Sequence, residues 1–268
     1  MLNSSTLITL IDDQEDYLIH FLEGQKIIQE MVLTQSLQAS GLNFYRDLIL
    51  TTMLMTSLLK RGERLGIYID SHYPDFHFKI ETDFDGRYRS VLLPEDFKEF
   101  PQKLCGRLRL TKSFPGKRPY QSIIEINDST IDQLMILVLI KSYQIDAHLF
   151  TSKESDQALL LMRLPPSSKK AASKLTPKEY WFSRQKLFSE LFQLGLNELA
   201  AIQAFVETHG LKFLHAKALT FTCGCSIENM QALINALSES ERQNLYQGSK
   251  ELEVVCEYCK KKYQLLQK

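Results

Sequence analysis

The chain has 268 residues, 44% of them hydrophobic, enough for one sizeable core and a smaller module. Its 32 Lys and Arg balance 32 Asp and Glu, which argues against a general nucleic-acid binder, a class that shows a basic excess. The N-terminus carries no basic region ahead of a long apolar run, so no secretory signal is expected, and the most apolar stretch, Leu48 to Leu59, is interrupted by hydroxyl residues and too short to span a bilayer. A soluble, cytoplasmic protein without membrane partners is the expectation, and in a reducing compartment clustered cysteines are more often metal ligands or redox sensors than structural disulfides.

In chain order, the first two dozen residues show no decisive period. Gln25 to Ser40 reads as helical, closed by Gly41, and Tyr45 to Lys60 as a strongly apolar helix stopped at Arg61 and Gly62. Leu65 to Asp70, Phe76 to Glu81 and Tyr88 to Leu92 read as strands. In the second of these Phe76, Phe78 and Ile80 alternate with polar residues, and Asp85-Gly86 marks a hairpin turn. Arg107 to Lys112 and Tyr120 to Ile126 form a further pair around Pro115-Gly116. A helix from Thr130 to Tyr143 follows, with Ser129 as its cap, then strands over Ile145 to Phe150 and Ala158 to Leu164. The fold class expected is α+β: a mixed core over residues 1–165, a linker over 166–218 that is first flexible and then helical, and a small C-terminal four-cysteine zinc module over 219–268. In the linker, Leu187, Phe188, Leu191, Phe192, Leu199, Ile202 and Phe205 make an apolar stripe with no domain of its own, so it must pack on something else.

The module opens with a short strand over Thr220 to Thr222, has Ser226 as the cap of one helix and Ser238 with Glu241 as a capping box for a second ending near Gly248, and closes with a strand over Leu252 to Val255. Four of the five cysteines lie here, as Cys223-Gly-Cys225 and, thirty residues on, Cys256-Glu-Tyr-Cys259. Two close pairs of thiolates suit zinc, which takes tetrahedral sulfur at about 2.3 Å. About fifty residues hold little core, so metal binding is what is expected to make the module fold. A static zinc ribbon, binding protein or nucleic acid without a redox response, and an oxidant sensor both fit the spacing. The C-x-C pair leans towards the sensor, since two thiols so close can be driven into a disulfide once metal is lost. A thioredoxin-like reading of Cys256 and Cys259 lacks its strand-and-helix context, with nine residues left in the chain. Cys105 stands alone, and the six histidines form no ligand-spaced motif. Walker, dinucleotide and nucleophile-elbow patterns are absent, so neither catalytic residues nor an organic cofactor are expected. Lys260, Lys261 and Lys262 read as compensation for thiolate charge rather than as a nucleic-acid contact.

With these residues in hand, the chain resembles the heat-shock protein 33 family of redox-regulated chaperones. The resemblance rests on Phe221-Thr-Cys-Gly-Cys-Ser226 followed by Leu252-Glu-Val-Val-Cys-Glu-Tyr-Cys259 and Tyr263. Weaker matches lie at Arg118-Pro-Tyr-Gln-Ser122, Ser142-Tyr-Gln-Ile-Asp146, Ala158 to Pro165 and Leu50 to Lys60. Departures include Glu23-Gly-Gln25 in place of an Arg-Gly-Glu stretch, Ser71 to Asp75 in place of a glycine-rich turn, Lys260 after the second pair, and a less acidic linker. The resemblance implies an ATP-independent, non-enzymatic holdase of the stress response. Reduced and with one zinc per chain on Cys223, Cys225, Cys256 and Cys259, it is inactive. Oxidation joins Cys223 to Cys225 and Cys256 to Cys259, releases zinc and unfolds the module. The linker then loses its packing partner, and unfolding client proteins are bound and kept from aggregating, with a homodimer as the active form.

Overall fold

The computed structural model describes residues 5–35, 39–73, 75–95, 103–165, 175–194 and 199–267, without the side chains of residues 39–41. Contacts divide the chain into two units, Met1–Phe221 and Thr222–Lys268. The first unit opens with an antiparallel hairpin, β1 (Ser5–Asp12) and β2 (Tyr17–Glu23), in the stretch where the sequence shows no period. The reason is burial on both faces: six of the eight residues of β1 and six of the seven of β2 are buried, which erases the alternation that marks a half-exposed strand. Asp12 makes the turn by accepting the Gln14 and Glu15 amides on one carboxylate oxygen.

Helices α1 (Gln25–Thr34) and α2 (Ala39–Leu54) follow, the latter running into a short 3-10 turn over Met55–Leu58. Gly41 therefore lies inside α2 rather than closing the helix before it; α1 ends at Thr34 and Gln35 is extended. Strands β3 (Arg64–Tyr73), β4 (Asp75–Asp83), β5 (Arg87–Leu93), β6 (Leu104–Ser113) and β7 (Tyr120–Ser129) form an antiparallel run. The alternation in β4 is as expected, with Phe76, Phe78 and Ile80 buried and their neighbours facing water. Thr130, not Ser129, caps α3 (Ile131–Val138): Ser129 closes β7, and Thr130 makes a capping box with Gln133. The helix then widens into a π turn over Leu139–Tyr143, ending at Gln144 in the left-handed region. Strands β8 (Ala147–Thr151) and β9 (Gln157–Arg163) return along β2.

The helical pattern of 180–206 appears as α4 (Pro177–Ser183), α5 (Gln185–Leu194) and α6 (Leu199–Thr208). The connector read at 166–174 lies outside the described residues. The stretch after α6 is a strand, β10 (Lys212–Phe221), longer than the Thr220–Thr222 segment legible in the sequence. It pairs with β1 over most of its length and with β5, in parallel, through Thr220 and Phe221. Ten strands thereby join in the order β7-β6-β3-β4-β5-β10-β1-β2-β9-β8. Gly86 is required at this junction: its φ is +84°, and a Cβ there would stand 2.4 Å from the Ala218 carbonyl of β10.

The sheet is covered unequally. Helices α1, α2 and α3 pack on one face through Ile27, Leu48, Met53, Leu134 and Val138, against Ile67, Phe78, Leu108 and Leu160. On the opposite face α4, α5 and α6 cover only the β1, β2 and β9 side. There Tyr180, Phe188, Leu191, Ile202 and Val206 meet Ile8, Leu10, Ile19, Phe21, Leu159 and Leu161. The packing partner of the linker stripe is therefore the core sheet.

The second unit contains α7 (Ile227–Asn235), α8 (Glu239–Tyr246) and a hairpin of β11 (Glu251–Val255) and β12 (Lys262–Leu266). Ser226 caps α7, and Ser238 with Glu241 makes the expected capping box on α8. Among the described residues no helix is long and apolar enough to cross a membrane.

Candidate metal centre

Local turns bring the cysteines into place. Cys223 and Cys225 occupy the extended segment between β10 and the Ser226 cap, where Asn229 donates its side-chain amide to the Gly224 carbonyl at 3.0 Å. Cys256 and Cys259 sit on the connection between β11 and β12. There the Lys260 amide donates to the Cys256 carbonyl at 2.9 Å and the Cys256 amide to the Lys261 carbonyl at 3.0 Å. Lys260 takes a φ of +60°, so a lysine fills a turn position that favours glycine or asparagine.

The four sulfurs lie within 4.8 Å of one another. The shortest approaches cross between the pairs: Cys223 Sγ to Cys256 Sγ is 3.6 Å, and Cys225 Sγ to Cys259 Sγ is 3.3 Å. A tetrahedral ion bound at about 2.3 Å from each sulfur requires sulfur–sulfur distances of about 3.8 Å. The observed spacings bracket that value, and none of the four cysteines is in a disulfide. The donor set therefore fits a metal ion that prefers four soft ligands, and the cluster is capable of binding one. The thiols are inequivalent. Burial pushes the Cys223 thiol up to about 12 and the Cys259 thiol up as well. At Cys225, hydrogen bonds from Tyr263 and the other three thiols outweigh burial and bring it down to about 7.

Tyr263 has a role that spacing alone did not suggest. Its hydroxyl donates to the Cys225 carbonyl at 3.0 Å and lies 3.1 Å from Cys225 Sγ, fixing the first pair from β12. The signal available was an aromatic four residues after Cys259 in a stretch of alternating hydrophobicity. The buried side chains of the unit's cluster are Cys256, Tyr263 and Leu265, and α7 buries none. Lys262 pairs with Glu253 at 3.0 Å and Lys261 lies over the Tyr263 ring, so the lysine run contacts its own hairpin.

The remaining candidates stay apart from this centre. Cys105 is exposed on β6 and accepts the Asp128 amide at 3.4 Å. His209 and His215 are exposed, the latter on β10, whereas His20 is buried and bonded to Thr9 at 3.0 Å.

Comparison with known proteins accounts for nearly the whole chain. A family model described as "Hsp33 protein" matches residues 5–265. The chain belongs to the Hsp33 family. Similar Hsp33 relatives include the 33 kDa chaperonin of Geobacter sp. (strain M21), 23% identical over 228 residues covering 78% of this chain and 76% of that protein. Another is the 33 kDa chaperonin of Syntrophotalea carbinolica, 25% identical over 233 residues covering 81% and 80%. The crystal structure of the 33 kDa chaperonin from Thermotoga maritima shares the fold with a TM-score of 0.73 at 15% identity, over 99% of this chain and 95% of that one. Hsp33 proteins are chaperones rather than enzymes, and chaperone activity implies unfolded proteins as clients.

Proposed function

We propose that this chain is a redox-switched, ATP-independent holdase whose client surface is the sheet face now under α4, α5 and α6. The observation that carries the reading is the contrast between the two halves of that face. Over β3 to β7 it is ion-paired and wet: Arg109 lies over the Tyr68 ring, Arg89 bonds Glu81 and Arg107 bonds Glu125. Over β1, β2 and β9 it is made of Ile8, Leu10, Ile19, Phe21, Leu159 and Leu161, all buried in one cluster with the side chains of α4, α5 and α6. An exposed apolar patch of this kind binds unfolded chains.

Zinc bound by Cys223, Cys225, Cys256 and Cys259, one per chain, would hold the sulfurs as thiolates and tie the two halves of the C-terminal unit together. With only a few buried side chains, that unit depends on the tie. Oxidation of a thiolate pair by hydrogen peroxide forms one S–S bond and breaks the peroxide O–O bond: two electrons pass to the peroxide, which takes two protons from solvent and leaves as two waters. By family resemblance the pairs are Cys223 with Cys225 and Cys256 with Cys259. Two such bonds remove the donor set, and the unit loses its order. One residue separates Phe221 from Cys223, and β10 is held to β5 by two residue pairs, so disorder starting at Cys223 frays β10 next. Fraying then reaches α6, which β10 follows in sequence, and uncovers the sheet face. This is an order–disorder switch driven by local chemistry. A cytoplasmic location and a homodimeric active form accompany the reading.

The test is light scattering from a thermally unfolding client, with zinc content measured in parallel, before and after peroxide with mild heat. Suppression of aggregation that appears with oxidation and zinc loss supports the proposal. Oxidised protein that keeps its zinc, or loses it yet suppresses nothing, returns the chain to a static zinc-ribbon adaptor.

A further inference from the structure

The tip of the β6–β7 hairpin and the turn before β3 flank an open cleft of about 460 Å³ that the chaperone reading does not use. The hairpin turn is built for its place: Pro115 and Gly116 (φ +75°) sit at its centre, and the Lys117 amide donates to the Phe114 carbonyl at 3.1 Å. Its walls carry Lys112, Lys117 and Arg118 against one carboxylate, Glu63, with the hydroxyls of Ser113 and Ser142 between them. Ser142 Oγ lies 3.0 Å from Ser122 Oγ, tying the π turn to β7 as the far wall. Glu63 is already engaged, accepting the Lys60 amide at 2.8 Å and lying 3.9 Å from Lys112 Nζ.

Among the described residues neither Lys117 nor Arg118 meets a carboxylate; Lys117 Nζ lies over the Phe114 ring at 5.1 Å. Elsewhere Arg46, Arg87, Arg89, Arg107, Arg163 and Arg184 each pair with one. The flanking turn adds Lys60, Arg61 and Arg64, so residues 60–64 and 112–120 gather six cations and one acid in a chain of zero net charge. Two aromatic rings stand at the mouth, Phe114 at 40% and Tyr120 at 51% exposure.

We propose that this cleft binds a nucleoside triphosphate, its phosphates on Lys117, Arg118 and Lys112 and its base on the Phe114 and Tyr120 rings. Phosphate oxygens accept charge-assisted, forked hydrogen bonds from a free guanidinium. Exposed rings beside cations provide a stacking surface for a base, and the volume lies in the range of small-molecule sites, about 300–1,000 Å³. Lys112 also sits 4.8 Å from the Tyr143 ring centroid, and the buried Tyr143 hydroxyl finds no hydrogen-bond partner among the described residues. The site binds without turnover: it lacks a Walker loop, and its single carboxylate is occupied by Lys112 and the turn amide. The inference does not depend on the redox switch.

The experiment is displacement of fluorescently labelled ATP from the full-length reduced protein, followed by anisotropy at fixed ionic strength. ATP and tripolyphosphate are expected to displace the probe, and adenosine at the same concentration is not. Lys117→Ser with Arg118→Ser, at exposed turn positions, should raise the Kd at least about tenfold with an unchanged circular dichroism spectrum. Lys186→Ser, on a lysine whose side chain is 93% exposed in α5, should leave it unchanged. Tyr120→Ser should weaken ATP but not tripolyphosphate. The proposal is overturned if the probe does not bind, or if the double variant binds it normally. It is equally overturned if Tyr120→Ser has no effect on ATP, or if a single-stranded oligonucleotide displaces the probe at far lower phosphate concentration than ATP does.

Discussion

Asp12 is a carboxylate with no exposure to water and four donors around it. One oxygen holds the Gln14 and Glu15 amides, and the other accepts the Tyr180 hydroxyl at 2.8 Å and an Arg184 nitrogen at 3.0 Å. Tyr180 also stacks on Tyr17 with ring centroids 3.9 Å apart, and Tyr17 donates to the Leu175 carbonyl at 2.6 Å. Asp12 thus clasps the covering helices to the β1–β2 turn, and Asp12→Ala strands a phenol and a guanidinium. The expected cost is about 3 kcal/mol, read as a lower urea midpoint and faster proteolysis within 175–211 in the reduced protein. His20 gives a pH prediction. Burial, with His215 and Lys217 adding to it, lowers its pKa from 6.5 to about 3. Below about pH 6.5 the unfolded chain therefore binds a proton that the folded one refuses, so stability is present at neutral pH and lost as pH falls towards 3. From pH 7 to 5 the loss is about 2 kcal/mol, and His20→Leu should flatten that slope in urea titrations. Tyr263→Phe removes the hydroxyl beside Cys225 and should weaken zinc binding about tenfold in chelator competition, as other outer contacts to metal ligands do.

At the scale of elements, α5 shows most clearly what covers the sheet. Leu187, Phe188 and Leu191 are buried on the β1–β2–β9 face, with Trp181 stacked on Phe150 from α4. Leu191→Ala should cost about 2–5 kcal/mol at this seat and give measurable aggregation suppression before any oxidant is added. The stripe that forms this seat was plain in the sequence, because Leu187, Phe188, Leu191 and Phe192 repeat at helical spacing; its partner was not. Of the strands that form it, β9 was legible as Ala158 to Leu164, whereas β1 and β2, buried on both faces, show no period, and β10 at the margin has exposed Leu214 and Ala218 that blur its alternation. The β3–β7 strands were legible because one of their faces is solvated. Caps were legible to within a residue: Ser226 and Ser238 stand where hydroxyl spacing put them, while Ser129 yielded to its neighbour Thr130, which has Gln133 three residues on. At the centre itself, four cysteines at C-x-C and C-x-x-C spacing announced the cluster, but the Tyr263 contact depends on the register of β12 against β11.

At the scale of the molecule, the chain is a large unit with ample core that continues directly, from Phe221 to Thr222, into a small unit with almost none. Stability is therefore unevenly distributed, and the proposed chemistry at four sulfurs would act where it is lowest. The covering helices belong to the intermediate layer: they carry apolar contacts of their own, yet one of their links to the rest of the sheet is β10, which ends at the cysteines. The most direct test of this account is hydrogen exchange by mass spectrometry on the full chain, reduced with zinc and then oxidised by peroxide. Protection should be lost first in 222–268, next in β10 and α4 to α6, and retained in β3 to β7. Oxidised protein that loses protection only in 222–268, with α4 to α6 still protected while aggregation is suppressed, would contradict it.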